Sequence, residues 1–169
     1  QHGKAMANFL DAGKLEPPVD GIYLIQQYIQ SREPFITRCE FIDGQFVYAV
    51  RVSTNNGFEL CPADSCQPGG NLCPATEDDI QRFQIIKDFS EPLLLKRYRA
   101  FLQSNAIEVA GIEFITDKNG RHWTYDINTN TNYNRTAEDR AKVSAPRQLA
   151  RFLGSLLDDN VEHLKSAVI

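Results

Sequence analysis

At 169 residues and 42% hydrophobic content, the chain is one domain or a large part of one and can bury a real core. Its net charge of -4 at pH 7 argues against nucleic acid as a partner, since sequence-independent affinity for a polyanion comes from clustered Lys and Arg. No apolar stretch approaches membrane-spanning length and no signal peptide is visible, which predicts no membrane and a cytoplasmic setting.

The chain opens on Gln1 inside an amphipathic pattern (Ala5, Met6, Phe9, Leu10), as expected of a fragment or a processed chain. Residues 1–21 read as a helix and a Pro-containing linker belonging to a preceding subdomain, and residues 22–169 as the main unit. Ile22 to Ile29 is rich in β-branched and aromatic residues and predicts a strand. Phe35 to Ile42 and Gln45 to Val52 flank Asp43-Gly44, the turn chemistry of a two-residue hairpin, in which both central residues need positive φ.

Counting outward from that turn puts Arg38 across from Ala49 and Arg51 diagonal to Arg38 on the same face, together with Glu40. The other face then reads Phe35, Thr37, Cys39, Phe41, Phe46, Tyr48, Val50 and Val52, a nearly unbroken core surface. A lone exposed Arg is usually surface charge. Two that converge beside an acidic face also fit a phosphate clamp, because guanidinium forks match phosphoryl oxygens.

From Thr54 to Asp79 the pattern dissolves into Asn, Gly, Pro and Cys. Cys61, Cys66 and Cys73, with Asp64 between the first two, lack zinc-knuckle spacing, so reduced thiols, a loop disulfide and a metal site all stay open, while Cys39 reads as core. Phe83 to Phe89 predicts another strand. Ser90 then caps a helix with Glu91 and Pro92 in its first turn and a stripe of Leu93, Leu94, Tyr98, Phe101 and Leu102.

The sharpest element follows: Gly111 to Ile115 into Asn119-Gly120, then back through Trp123 to Asn128. With a two-residue turn, Lys118 pairs with Arg121 and Glu113 falls directly across from Asp126, with Asn128 on the same face. Ala110, Ile112, Phe114, Trp123, Tyr125 and Ile127 then form the apolar back, and Thr124 joins the acids. A three-residue loop with a bulge is expected to break this pairing. Opposed carboxylates about 5 Å apart repel, and a bound cation is one way to hold them. Oxygen-only ligands favour Mg²⁺ or Mn²⁺ over zinc, with positions left for substrate phosphates. The alternative is a solvated polar face with Lys118 and Arg121 screening the acids.

Asn128 to Asn134 is amide-rich, as capping and turning loops are. Ser144 and Pro146 then open a second helix burying Leu149, Phe152, Leu153 and Leu156. His2, His122 and His163 share no spacing and are assigned no catalysis. Strands, helix, strands, helix with antiparallel pairs make the class α+β: an antiparallel sheet of hairpins packed by helices.

Taken in order, Leu24-Ile25-Gln26-Gln27-Tyr28-Ile29, Arg38 and Arg51 on a Gly-turned hairpin, Ala110-Gly111-Ile112-Glu113, and Asp126-Ile127-Asn128 resemble the C-terminal half of an ATP-grasp ligase. The resemblance runs from about Ile22 to Asn134 and is nearest to the ribosomal-protein and α-L-glutamate ligase branch. It implies an ATP- and Mg²⁺-dependent carboxylate-amine ligase that forms an amide through an acyl phosphate. On that resemblance Gln26, Gln27, Tyr28 and Ile29 lie along adenine, with backbone groups of Gln27 and Ile29 as partners, and Glu33 holds the ribose.

Glu113, Asp126 and Asn128 become ligands of two Mg²⁺ ions, with Mn²⁺ an alternative. Arg51 becomes the arginine on the transferring phosphate, and Arg38 a second one at phosphate or acceptor carboxylate. Asn130 and Asn132 become acceptor contacts. The implied partners are small-molecule or peptide carboxylates and amines, with a homo-oligomer left open.

The sequence departs from the family in three places. Asp126 stands for the usual Glu, Phe58-Glu59-Leu60-Cys61 replaces a basic segment, and no Gly-rich loop precedes Ile22. The last departure predicts a missing N-terminal half carrying the nucleotide lid, and little activity from this chain alone. Two alternatives remain: a non-catalytic nucleotide-binding or scaffold domain of ligase shape, and another ATP-grasp chemistry.

Overall fold

A computed structural model describes residues 26–54 and 82–166, with side chains as far as residue 158. The expectations for residues 1–21, for the first part of the Ile22 to Ile29 strand, for Phe58-Glu59-Leu60-Cys61 and for Cys61, Cys66 and Cys73 lie outside the described residues.

The α+β class holds. Five strands form one antiparallel sheet: β1 (Phe35–Ile42), β2 (Gln45–Ser53), β3 (Phe83–Ile86), β4 (Val109–Thr116) and β5 (His122–Asn128), in the order β3-β2-β1-β4-β5. Among the described residues, three helices pack with it: α1 (Pro92–Ser104), α2 (Arg135–Ala141) and α3 (Ala145–Ser166).

Asp43 and Gly44 turn β1 into β2 with φ of 55° and 61°, the double positive φ that the turn requires, and Ile42 pairs with Gln45 as the sequence predicts. The register then slips. Phe41 faces Phe46 but Glu40 faces Tyr48, so Val47 is the extra residue of a bulge. A one-residue slip sends every later side chain of β2 to the other face. Tyr48, Val50 and Val52 therefore lie with Ile36 and Ile42, and not with Cys39 and Phe41. Both faces of the sheet are buried.

On the first face, Cys39, Phe41, Ala49, Ala110, Ile112 and Phe114 meet Tyr98 and Leu102 of α1. Full burial of one such leucine contributes about 2 kcal/mol. On the second face, Ile36, Tyr48, Val50, Val52 and Ile115 meet Ala145, Leu149 and Phe152 of α3. The stripe predicted for α1 is partial, since Leu93 and Phe101 stay exposed, as does Leu153 in α3.

Smaller boundaries move too. Glu91, not Ser90, is the N-cap of α1, with Pro in the first turn. Gln26–Gln30 forms no strand: the segment is largely exposed and touches the sheet through an isolated bridge from Ser31 to Asp117. Strand propensity expresses fit to a pleated, half-buried surface, which this stretch does not have. The helix α2 was not predicted. It starts on Asn134, whose side chain accepts from the Ala137 N–H at 2.8 Å, and ends on Lys142 in the left-handed region.

Candidate functional site

The sheet places Glu113 and Asp126 directly opposite each other, as read from the sequence, and pairs Asn128 with Gly111 two positions along. Directly paired residues share a face, so the three oxygen-bearing side chains lie on the same, second face of the sheet. The route to this pairing differs from the expected one. Asp117 pairs with Arg121 through its N–H (3.0 Å), leaving Lys118, Asn119 and Gly120 as a three-residue loop. Asp117 Oδ1 accepts the Asn119 and Arg121 N–H groups within that loop. Such a loop shifts the register by one. A bulge between the Glu113–Asp126 and Phe114–Thr124 pairs, with Tyr125 as its extra residue, shifts it back.

That bulge redistributes the flanking side chains. Thr124 pairs with Phe114 on the first face, where its hydroxyl is 2.7 Å from that of Tyr98. Trp123 pairs with Ile115 on the second face and donates its ring N–H to Asp117 at 2.8 Å. Tyr125 joins the acids and donates its hydroxyl to Glu113 Oε2 at 2.8 Å. The expected apolar back of Trp123, Tyr125 and Ile127 is thus reduced to Ile127.

Arg38 lies on the acidic face but Arg51 does not. The Val47 bulge pairs Arg38 with Val50, not Ala49, and pairs Arg51 with Thr37 on the opposite face. There Arg51 sits 4.7 Å from the Phe35 ring centroid, a cation–π contact at the exposed surface. The expected convergence of two arginines does not form.

Arg38 is held on three sides. Nε donates to Glu40 Oε1 at 2.6 Å, Nη2 to the Asn132 carbonyl at 2.9 Å, and Nη1 stands 3.9 Å from Glu113 Oε1. Glu40 is fully buried and Glu113 is 3% exposed. Burial pushes both carboxyl groups above their ordinary range. For Glu113 the Tyr125 hydroxyl and Arg38 oppose this and Asp126 and Glu40 reinforce it, whereas Arg38 and Thr131 oppose it for Glu40.

The loop after β5 crosses this face. Asn128 Oδ1 accepts the Asn130 N–H at 2.8 Å, Thr131 reaches Glu40, Asn132 reaches Arg38 through its carbonyl, and Tyr133 packs into the second core. The side chains of Asn130 and Asn132 are exposed. At the entry to β1, Gln26, Gln27 and Tyr28 are exposed, Ile29 packs against the second core, and Glu33 is exposed. Arg32 donates its N–H to the Thr116 carbonyl at 2.8 Å, which seats this segment at the end of the sheet where β4 stops.

Among the described residues no three of His, Cys, Asp and Glu gather as a metal-ligand group. The candidate set is two carboxylates and a carboxamide. This fits a Mg²⁺ ion, which is commonly held by one or two carboxylates together with substrate phosphates. Two opposed acids, one of them desolvated, also form a site that a cation would relieve. Tyr125, Glu40 and Thr131 belong to the site without having been assigned to it from sequence. Glu40 carried a signal, its place on the Arg38 face. Tyr125 carried none, because alternation does not reveal a bulge.

No protein-family model matches the chain, and no curated protein matches it. Solved structures similar to it include the ATP-grasp ligase PsnB complexed with a phosphomimetic variant of minimal precursor, Mg and ADP, at 14% identity and TM-score 0.49, over 76% of this chain and 34% of that one. The macrocyclase MdnB from Microcystis aeruginosa MRC is similar at 12% identity and TM-score 0.46, over 75% and 37%. A Chryseobacterium gregarium RiPP-associated ATP-grasp ligase in complex with ADP and a leader and core peptide is similar at 11% identity and TM-score 0.47, over 77% and 34%. The chain spans about a third of the length of each. At these identities and scores the likeness assigns no activity. Among the described residues no helix is long and apolar enough to cross a membrane.

Proposed function

We propose that this chain carries the metal and phosphoryl-transfer face of an ATP- and Mg²⁺-dependent carboxylate-amine ligase of the ATP-grasp type. The observation that supports this reading is the register that sets Glu113 against Asp126 with Asn128 on the same face, backed by a buried sheet and flanked by Arg38. The order of the motifs along the sequence supports it as well.

In such a reaction a carboxylate oxygen attacks the γ-phosphorus of ATP, the β–γ bridging P–O bond breaks, and ADP leaves. An amine then attacks the acyl carbon of the acyl phosphate, the C–O bond breaks, and phosphate and a proton are released with the amide. Mg²⁺, when bound, neutralises phosphate charge. Glu113, Asp126 and Asn128 would hold it.

The chain's own residues orient and neutralise. Arg38 presents its Nη1 edge toward Glu113, where a guanidinium can meet phosphoryl oxygens. Tyr125 keeps Glu113 oriented and lowers its proton affinity. Gln26–Ile29 supplies the adenine edge and Glu33 the ribose contact. Asn130 and Asn132, on the loop over the face, contact the acceptor, a small molecule or a peptide. Arg51 is left out of the transfer set because it occupies the other face.

Calorimetry of ATP binding to the purified protein tests the reading. Binding should require Mg²⁺ or Mn²⁺ and weaken in Asp126→Asn and Asn128→Ala; absence of Mg²⁺-dependent binding overturns it. The internal partners already held by Arg38 and Glu113 favour one competing reading, a nucleotide-binding scaffold of ligase shape. Mg²⁺-dependent binding by the full-length chain, without release of ADP and phosphate in the presence of carboxylates and amines, would select that reading.

A further inference from the structure

We propose that Glu40 is a positioning residue, which fixes the orientation of Arg38 toward Glu113 and clasps the loop of residues 129–134 over the face, with Gly111 as the floor that makes room for both. This rests on the ligase reading above.

The geometry at Glu40 is closed on all sides. Its carboxylate accepts from Arg38 Nε at 2.6 Å and from Thr131 Oγ1 at 3.0 and 3.2 Å, and it has no exposure to solvent. A fully buried carboxylate is expensive, and an apolar residue of similar volume is often at least as stable in such a place. Core packing alone does not explain it.

Its effect on Arg38 follows from the rigidity of a planar guanidinium, in which fixing two nitrogens fixes the third. Glu40 holds Nε and the Asn132 carbonyl holds Nη2, so Nη1 is aimed at Glu113. Both restraints come from one unit, because Thr131 ties to Glu40 the loop that supplies the Asn132 carbonyl. The three partners meet above Gly111. A Cβ there would stand 2.9 Å from Thr131 Oγ1, closer than Cβ atoms come, and 3.1 Å from Glu40 Oε2 and 3.2 Å from Arg38 Cδ, both tighter than ordinary contacts, so these side chains would have to shift. Gly111 is thus needed for space.

The test is titration of the purified protein with ATP and with ADP, each with Mg²⁺, because only ATP carries the phosphoryl group that Arg38 would meet. Glu40→Gln and Gly111→Ala should each weaken ATP binding by about tenfold while leaving ADP within about twofold, as expected from misplacing one charge-assisted contact. Thr131→Val should weaken ATP binding by less, and Thr131→Ser, which keeps the hydroxyl, should restore it. A merely structural role would lower ATP and ADP affinity together. That result, or no change in either, overturns the proposal and leaves the ligase reading standing. Failure of the unmodified protein to bind ATP with Mg²⁺ overturns the ligase reading and this proposal with it. Gly111→Ala and Thr131→Val reach the same contacts from β4 and from the loop, so the ATP–ADP comparison survives a Glu40→Gln variant that does not fold.

Discussion

The hydroxyl of Tyr125 meets Oε2 of Glu113 at 2.8 Å because Tyr125 is the surplus residue of a bulge, turned onto the same face as the acid it serves. This hydrogen bond holds the Glu113 carboxyl down against the upward push of burial. Tyr125→Phe removes it, so Glu113 keeps its proton to higher pH. Mg²⁺-dependent ATP binding should weaken relative to the parent as the pH is lowered and recover as the pH is raised. Urea unfolding should show a loss of about 1.5–3 kcal/mol, the usual worth of a hydrogen bond to a carboxylate. Calorimetry over a pH series checks the first effect and denaturant midpoints the second.

The two arginines should separate cleanly. Arg51 is exposed, stacked on Phe35 and on the far side of the sheet from the acids. Arg51→Ala should leave ATP affinity within about twofold and cost about 0.5–1 kcal/mol of stability, the scale of an exposed cation–π contact. Arg38→Ala strips an arginine that reaches two buried carboxylates, Glu40 and Glu113. It should abolish binding and destabilise the fold by several kcal/mol, because an unpaired buried charge is left behind. Parallel binding and unfolding curves for the two variants check this.

Much of this site can be read from the amino acids, and what cannot is governed by two bulges. The turns at Asp43-Gly44 and near Asn119-Gly120, the Glu113–Asp126 pair and the buried Cys39 all follow from residue chemistry and period-2 alternation. Alternation, however, assumes an unbroken ladder. Val47 and Tyr125 each add one residue, and each addition reverses the faces beyond it. That is why Arg51, Tyr48, Val50, Val52, Thr124 and Trp123 lie opposite to where counting put them. The hairpin of β4 and β5 survived because its three-residue loop and its bulge cancel. The helix α2 escaped because Arg135–Ala141 is seven residues long and mostly polar, so it has no apolar stripe; its mark was the cap Asn134 followed by Glu138.

Removing the charge of Glu113 should trade function for stability. In the folded protein its pKa is raised from the ordinary 4.5, chiefly by burial, with Asp126 and Glu40 adding to the shift and Tyr125 and Arg38 opposing it. Between the unfolded and folded values the native state binds more protons than the unfolded state, so stability falls as pH rises through that window and stays lower above it. In metal-free buffer Glu113→Gln should therefore match the parent below pH 4.5, flatten the decline above it, and equal or exceed the parent's melting temperature at neutral pH. Added Mg²⁺ with ATP should raise the melting temperature of the parent only. Thermal melts across pH, with and without Mg²⁺ and ATP, decide the matter.

Glu138 ties the far end of the face together. Its Oε1 accepts the Tyr48 hydroxyl at 3.0 Å and the Ala145 N–H at 2.7 Å, joining β2, α2 and the first residue of α3 within the second core. The residue is 4% exposed, so neither donor has water to turn to. Glu138→Ala orphans both and should cost about 3 kcal/mol, whereas Tyr48→Phe removes one donor and its demand together and should cost about 1 kcal/mol. Glu138→Gln keeps an acceptor oxygen and should stay within about 1 kcal/mol of the parent. The Tyr48→Phe and Glu138→Ala pair should be non-additive, since the tyrosine change costs nothing further once the acceptor is gone. A double-mutant cycle from urea unfolding measures this; additive costs would mean that the two side chains do not share the bond.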